Sequence, residues 1–182
     1  MISEMNRLMG TNWYVITGAP CSGKTTLVNL LHGRGYKTTI EHARHYIDTM
    51  KTNAKSIEEI RSNQKQFQLG ILNMQIEQES SLSPDDLVFL DRAIPDALAY
   101  YRFLNLEVDQ KLADALSKVS YSKIFILDYL PLVQDYARKE DEEAQIKIHK
   151  LLTEVYQSFP FPVTQVPVLP PNERVNFILN NL

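Results

Sequence analysis

The sequence predicts a three-layer α/β protein, in which a five-stranded parallel sheet lies between two layers of helices. Short apolar runs alternate with longer amphipathic segments along the 182 residues, which is the pattern of strand–helix–strand units. The apolar run WYVIT is followed at once by GAPCSGKTT, which matches the strand–loop–helix pattern G-x-x-x-x-G-K-[ST]. Polar residues also gather directly after the predicted strands, where ligands bind in sheets of this kind.

The first half of the chain contains two predicted strands and three predicted helices. Strand one covers residues 13–17 and strand two residues 36–40. A helix over 23–33 lies between them and ends at the glycines 33 and 35. A short helix over 42–50 follows strand two. Ser56 and Glu59 form a capping box, which predicts the start of a long helix that ends at the turn SSLSPDD.

The second half continues the same alternation. Strand three is a continuous apolar run over residues 87–90, as a buried parallel strand requires. Pro170 and Pro171 suit the first turn of a last helix that carries Leu182. Between them we expect helices over about 95–104 and 108–118, strand four at 124–127, a helix over 144–159 and strand five at 163–166. We interpret residues 1–182 as one domain.

The composition limits which classes of protein this can be. An apolar fraction of 44 % and a charged fraction of 23 % are ordinary for a globular domain. The net charge of −3 argues against nucleic acid as a partner, and no apolar run approaches the ~20 residues of a membrane span. The first ten residues lack the apolar core of a signal peptide. The single cysteine, Cys21, fits a reducing compartment, so we expect a cytoplasmic protein.

The loop after strand one is typical of proteins that bind nucleotide phosphates. Its glycines, Gly18 and Gly23, let the backbone turn tightly and bring N–H groups close to an anion. Lys24 adds a mobile cation for the β- and γ-phosphates, and the Thr25 hydroxyl is a ligand for Mg²⁺. The full set of residues that we expect to bind ATP is Gly18, Ala19, Pro20, Cys21, Ser22, Gly23, Lys24, Thr25 and Thr26.

The residues that follow the other strands complete a candidate site for phosphoryl transfer. Asp91, at the end of strand three, is predicted to reach Mg²⁺ together with Thr25, and Arg92 to neutralise the transferring phosphoryl group. Glu41, after strand two, is the candidate base or orienting group for an acceptor hydroxyl. The remaining candidates are Arg138 for the phosphoryl group, Arg44 for an acceptor phosphate, and Asp96 and Lys139 for the acceptor.

Five of these residues also have an interpretation without a catalytic role. Asp91 fits a helix cap, and Arg92 fits a surface pair with Asp96. Glu41 fits the negative charge favoured in a first helical turn, while Arg138 and Lys139 fit a solvated face. For the two histidines at 42 and 45 no third ligand has a recognisable spacing, which disfavours a metal site. We interpret Cys21 as a small loop residue, although such a loop would stabilise a thiolate.

The stretches GAPCSGKTT, EHARHYID, FLDRAIPDALAYY, RKEDEE and VPVLPPNERVNFIL together identify a family resemblance. From about Trp13 to Leu182 the chain resembles the AAA-type P-loop ATPase family that includes the ribosylnicotinamide kinase domain of NadR-like proteins. The resemblance implies a P-loop NTPase fold with the kinase strand order 2-3-1-4-5. It also implies a short mobile lid near Arg138 and an adenine pocket around residues 168–174. Many members of the family have glycine at the position of Cys21.

The sequence favours a kinase over the other P-loop classes. No N-K-x-D motif is present, which disfavours a guanine-specific GTPase, so ATP is the expected nucleotide. Strand three ends in Asp91-Arg92 instead of the Asp-Glu pair of motor ATPases. We therefore expect a Mg²⁺- and ATP-dependent phosphotransferase that acts on a small nucleoside- or nucleotide-like acceptor. The alternative is a regulatory nucleotide-binding module that acts through a protein partner; the acceptor and the oligomeric state are left open.

Overall fold

A computed structural model of the chain describes residues 10–52, 56, 59, 63–130 and 142–182. Strands and helices alternate through these residues, as the apolar pattern predicts. The strands are β1 (Trp13–Thr17), β2 (Lys37–Thr38), β3 (Val88–Asp91), β4 (Lys123–Leu127) and β5 (Val163–Val166). The helices are α1 (Lys24–Gly33), α2 (His42–Thr52), α3 (Gln64–Ser81), α4 (Ile94–Phe103), α5 (Gln110–Leu116), α6 (Glu142–Gln157) and α7 (Pro171–Leu179).

The five strands form one parallel sheet in the order β2-β3-β1-β4-β5. This order confirms the one that the family resemblance implies. In the register of the sheet, Ile16 lies opposite Asp91 of β3 on one side and Phe125 of β4 on the other. The carboxyl ends of the central strands therefore meet at one edge, and the residues that follow them share one crevice.

Alternate residues of the central strands point into two separate apolar cores, one on each face of the sheet. All four residues of β3 are buried, in agreement with the continuous apolar run. One core joins Val15, Leu90, Ile124 and Ile126 to helices α3, α4 and α6. The other joins Ile16, Phe89, Phe125 and Leu127 to helices α1 and α7. No helix in the described ranges combines the length and the apolar character needed to cross a bilayer.

Strands β2 and β3 differ slightly from the predicted ranges. Strand β2 has two residues instead of five, because the chain leaves the ladder at Thr39, whose hydroxyl accepts a hydrogen bond from the N–H of Asp91 at 2.8 Å. Ile40, predicted within the strand, is exposed. Strand β3 begins and ends one residue later than predicted, so Asp91 is its last residue instead of the first residue after it.

The helices confirm the predicted pattern, with changes at their ends. The capping box of Ser56 and Glu59 forms both of its hydrogen bonds, but the described part of the long helix begins at Gln64 behind the cap residue Asn63. Helices α6 and α7 end before Phe159 and Leu182, which the predicted ranges included. The predicted lid, with Arg138 and Lys139, lies outside the described residues.

We predict that two carboxylates paired with lysine differ strongly in their effect on stability. Asp109 caps α5, and it accepts hydrogen bonds from Lys65 and from the buried Tyr101. Asp109→Ala should lower the free energy of unfolding by about 1–3 kcal/mol, because the cap and the acceptor of Tyr101 are both lost. Asp86→Ala, the control, removes a half-exposed pair with Lys37 and should cost less than about 1 kcal/mol. Urea unfolding measures both values, and equal losses would contradict the prediction.

Candidate active site

The phosphate loop follows β1 and reverses the chain direction into α1. Cys21 and Gly23 have positive φ angles of 59° and 83°, the left-handed conformation that tight turns need. The position of Gly18 has no room for a side chain, because a Cβ there would lie 2.8 Å from the Ser22 hydroxyl and 3.1 Å from the Leu127 carbonyl oxygen. The left-handed backbone at Cys21 explains why a glycine fits this position equally well.

Lys24, the first residue of α1, lies between two carboxylates that follow β2 and end β3. Its Nζ is 3.3 Å from Oδ1 of Asp91 and 4.0 Å from Oε1 of Glu41. Lys24 and Asp91 are each only 3 % exposed, so this charge pair is shielded from water. The hydroxyl of Thr25 lies 3.4 Å from the other oxygen of Glu41. Four predicted site residues from three segments of the chain are thus together.

Asp91 is held in a state in which its negative charge is costly. Burial raises its pKa above the usual range and the charge of Glu41 adds to the rise, while Lys24 and Arg92 oppose it. The contact of Oδ1 with Lys24 lacks hydrogen-bond geometry, so this buried oxygen has no hydrogen-bond partner among the described residues. An additional cation near Oδ1 would therefore stabilise the carboxylate.

Arg92 follows β3 in a left-handed conformation, with a φ of 66°. Its N–H donates to the carbonyl of Ile16 at 3.0 Å, and its guanidinium donates to Asp96 at 3.1 Å and lies 5.3 Å from the ring centre of Tyr100. Burial opposes its positive charge, but Tyr100 and the neighbouring carboxylates outweigh burial and raise the pKa of Arg92. Arg92 is thus a fixed cation, and its pair with Asp96 lies in the crevice and not on the outer surface.

Asp96 is the centre of a buried polar network. Its carboxylate accepts hydrogen bonds from Thr17 of β1 at 2.5 Å, from the hydroxyl of Tyr156 on α6, and from the N–H of Ala93 at 3.1 Å. It lines the pocket described next, but its described contacts lie within the protein and hold Arg92 in place. Its predicted role in contacting an acceptor stays a prediction.

A deep pocket opens beside the phosphate loop, between helices α2, α3 and α4. Pro20, Glu41 and Arg92 lie at the end nearest the loop, and Arg44 of α2 is also part of the lining. Most of the wall is apolar: Ile47, Phe67, Ile71, Leu72, Ile94, Ala97, Tyr100, Phe103 and Leu104. The pocket therefore suits a small molecule with an apolar body whose polar end reaches the loop.

Three buried polar side chains, Gln68, Gln75 and His42, interrupt the apolar wall. Burial lowers the pKa of His42, although a hydrogen bond with Gln78 opposes this, so the imidazole is neutral at pH 7. It adds hydrogen-bonding groups to the pocket without adding charge. Within the described part of the chain, no three His, Cys, Asp or Glu side chains form a group able to hold a metal ion.

A buried carboxylate behind the pocket joins α3 to the start of α4. Glu79 accepts hydrogen bonds from Gln75 at 2.9 Å, from the hydroxyl of Tyr121 at 2.8 Å and from the N–H of Ile94 at 3.1 Å. Burial raises the pKa of Glu79 to about 7; these hydrogen bonds oppose the rise and the charge of Asp96 adds to it. The carboxylate thus supports the turn that carries Arg92.

Sequence reasoning missed the residues that support the site from behind. The side-chain amide of Gln145 donates to the carbonyls of Pro20 at 2.6 Å and Leu130 at 3.0 Å. Arg174, the last residue of the predicted adenine stretch, is buried beneath the loop. Gln145 and Arg174 are each buried together with apolar residues of an amphipathic helix. A polar residue on the apolar face of a helix was the sequence signal that could have identified them.

A comparison with models of protein families identifies the family of this chain. Residues 13–174 match a family model described as an AAA domain. The chain belongs to this family. No curated protein gives a significant match to the sequence. The match covers the phosphate loop, the residues after β2 and β3, and the pocket helices. The predicted resemblance to P-loop kinase-like proteins is confirmed.

Solved structures of kinases share the fold of this family member. A deoxyadenosine kinase from M. mycoides, solved with dCMP and dCDP, has a TM-score of 0.66 at 18 % identity, over 93 % of this chain and 97 % of that one. A thymidylate kinase from Ehrlichia chaffeensis has a TM-score of 0.63 at 17 % identity, over 94 % and 98 %. NadR in complex with NR has a TM-score of 0.63 at 17 % identity, over 97 % of this chain and 52 % of that one. The three-layer P-loop fold of nucleoside and nucleotide kinases is thus confirmed.

We predict that Glu79 makes stability depend on pH. Its pKa is higher in the folded protein, about 7, than the usual 4.5, so the folded state binds the proton more tightly. The resulting stabilisation, up to about 3 kcal/mol, is fully present below about pH 4.5 and is lost as the pH rises through about 7. Glu79→Gln, which resembles the protonated acid, should lack this decline.

The free energy of unfolding of the wild-type protein and of the Glu79→Gln variant is measured in urea at about pH 4.5 and about pH 8. Comparing the change between the two pH values in the two proteins cancels the contributions of other titrating groups. The wild-type protein should lose more stability between the two pH values than the glutamine variant. An identical loss in both proteins would contradict the assignment to Glu79.

Proposed function

We propose that the protein is a Mg²⁺- and ATP-dependent kinase that transfers the γ-phosphoryl group of ATP to a small nucleoside- or nucleotide-like acceptor. One observation carries the proposal: the apolar pocket opens onto the phosphate loop at the point where Lys24, Glu41, Asp91 and Arg92 meet. A donor bound at the loop and an acceptor bound in the pocket would meet there. The fold shared with nucleoside and nucleotide kinases supports the same assignment.

The phosphate loop and α1 form the donor side of the proposed site. Backbone N–H groups of residues 18–26 would bind the phosphates of ATP, with the positive end of α1 behind them. Lys24 would reach the β- and γ-phosphates, exchanging its contact with Asp91 for one with phosphate oxygen. Stretch 168–174, which follows β5 at the same edge of the sheet, is the proposed adenine subsite.

The oxygen atoms at the start of α1 fit a magnesium ion that binds together with ATP. The hydroxyl of Thr25 and the carboxylate of Asp91 are hard oxygen donors, and Mg²⁺ prefers one or two carboxylates plus phosphate and water. Oδ1 of Asp91, which is buried and accepts no hydrogen bond from the described residues, is the observation that supports this fit. Mg²⁺ would neutralise charge on the phosphates of the donor.

Glu41 and Arg92 would act on the two reacting groups. Glu41, at the loop end of the pocket, would orient the acceptor hydroxyl and accept its proton as the oxygen attacks the γ-phosphorus. The bond from the γ-phosphorus to the bridging β–γ oxygen would break in the same step, and ADP would leave. Arg92, fixed by Asp96, would donate hydrogen bonds to the phosphoryl oxygens as charge develops on them. We propose Arg138 and Lys139 as further cations from a lid, Arg44 as the contact for a phosphate on the acceptor, and Asp96 as an acceptor contact.

The chemistry of the pocket wall supports a nucleoside-like acceptor. Aromatic and branched side chains suit a planar ring, and the buried amides of Gln68 and Gln75 offer hydrogen bonds to its edge. A buried polar group that loses its partner is costly, so these amides would discriminate strongly between rings with different edges.

We predict that Lys24→Ala weakens ATP binding by roughly ten- to a hundredfold, because one charge-assisted phosphate contact is lost. Isothermal titration calorimetry with ATP and Mg²⁺ measures the change. Lys37→Ala is the matched control, since Lys37 makes a half-exposed pair with Asp86 away from the loop. Absence of ATP binding by the wild-type protein would contradict the proposed function.

We predict that Glu41→Gln lowers kcat by roughly 10²-fold or more while ATP affinity changes little, because a general base acts on the acceptor and not on the donor. Product formation is measured by mass spectrometry with a panel of nucleosides, ribosylnicotinamide and nucleoside monophosphates. Glu77→Gln, at an exposed position of α3, is the control. If no acceptor is phosphorylated and a protein partner is bound according to the nucleotide state, the regulatory module is the better assignment.

A further inference from the structure

Arg174, on α7, connects three segments of the chain beneath the phosphate loop. Its guanidinium donates to the carbonyl of Ser22 in the loop at 2.5 Å, to that of Asp128 after β4 at 2.7 Å, and to that of Pro167 after β5 at 2.8 Å. The residue is 2 % exposed. One of its nitrogens lies 3.3 Å from the position of a Cβ on Gly23, so the charge sits directly against the loop backbone.

Arg174 carries a buried positive charge. Among the residues that the structure describes, it forms no ion pair, and its hydrogen bonds go to neutral carbonyl groups. Burial lowers its pKa, with the charge of Asp128 opposing the change, but an arginine remains charged in proteins. A buried charge is normally compensated by an opposite charge. An anion bound at the loop is the compensation that this position offers.

Gln145 supports the same loop without a charge. Its amide donates to the carbonyl of Pro20 from α6, two residues before the carbonyl that Arg174 holds. Both side chains therefore hold the backbone of the loop through its carbonyl groups. Only Arg174 also brings a positive charge close to the loop. An amide can thus hold a loop carbonyl without adding charge. Substitutions at Arg174 that keep or remove the charge can therefore separate the effect of holding the loop from the effect of the charge on ligand binding.

We propose that Arg174 is a positioning residue of the nucleotide site, which holds the loop through Ser22 and whose buried charge strengthens the binding of polyphosphate. This rests on the proposed function, since the polyphosphate is that of ATP. Three of its N–H groups donate to backbone carbonyl groups behind the loop. Unlike the rest of the proposed adenine stretch, Arg174 would therefore act on the phosphates, through the loop and its charge, and not by contact with the base. A polyphosphate without a base should therefore respond to its loss as ATP does.

The test compares Arg174→Met and Arg174→Lys with Arg34→Met as a matched control. Arg34 also connects α7 to another segment, through Asn172 and Asn176, but it is exposed and stands at the far end of α1. Binding of ATP and of inorganic tripolyphosphate, both with Mg²⁺, is measured by calorimetry, and thermal unfolding is measured for each variant.

We expect Arg174→Met to weaken both ligands by a similar factor of roughly tenfold or more. Arg174→Lys keeps the charge but lacks the planar guanidinium that donates to three carbonyl groups, so its affinity for both ligands should fall by a smaller factor. Arg34→Met should bind both ligands as the wild type does. A lower melting temperature with unchanged affinity for both ligands would show a merely structural role and overturn the inference. So would a loss confined to ATP, which would indicate contact with the base.

Three further outcomes are decisive. If Arg174→Met does not fold, Arg174→Gln, which keeps amide donors and removes the charge, takes its place, and a folded glutamine variant with wild-type affinity for both ligands would overturn the inference. A wild-type protein that binds neither ligand would contradict the proposed function itself, and the inference with it. A wild-type protein that binds both, with variants that bind equally well, would contradict the inference alone.

Discussion

The candidate site depends on one constraint of the phosphate loop: a backbone that directs its N–H groups towards an anion has to turn its carbonyl groups away from it. The carbonyl groups of residues 20–23 each accept a hydrogen bond, and these come from helix, loop and strand-end positions across the chain. The donors are the side chain of Gln145, the N–H of Leu130, the side chain of Arg174 and the N–H of Leu27. The loop is therefore shaped by the assembled fold and not by its own sequence alone.

Charge balance at the carboxyl edge of the sheet follows from the position of the loop. Lys24 opens α1 and so faces the ends of β2 and β3, where it meets the carboxylates of Asp91 and Glu41. A phosphate bound at the loop would draw Lys24 away from Asp91, a carboxylate whose burial already makes its charge costly. Binding of an anion and binding of a further cation are therefore favourable together, which is the behaviour expected of a site for a nucleotide with its metal.

Local patterns in the sequence predicted the strands, the phosphate loop and the residues that follow each strand, because these depend on periodicity and on the rule that ligands gather at strand ends. The supporting residues Thr39, Gln145 and Arg174 were missed, since their partners lie 52, 125 and 152 positions away and no short pattern encodes such contacts. Strand β2 was predicted too long for a related reason. The N–H of Asp91 donates to the side-chain hydroxyl of Thr39 instead of to a backbone carbonyl of β2, so the backbone pairing that the apolar pattern suggested ends there.

The surroundings of Arg92 show how the fold places a cation at a strand end. A left-handed backbone at a residue other than glycine costs about 1 kcal/mol or more, and such a conformation persists only where neighbouring contacts hold it. Here the N–H of Arg92 is bonded to β1, and Asp96 binds its guanidinium while also accepting from β1 and α6. Asp96 therefore locks the arginine to the sheet and to a second helix at once. These contacts keep the guanidinium of Arg92 at the end of β3, which supports the role proposed for Arg92 in the site.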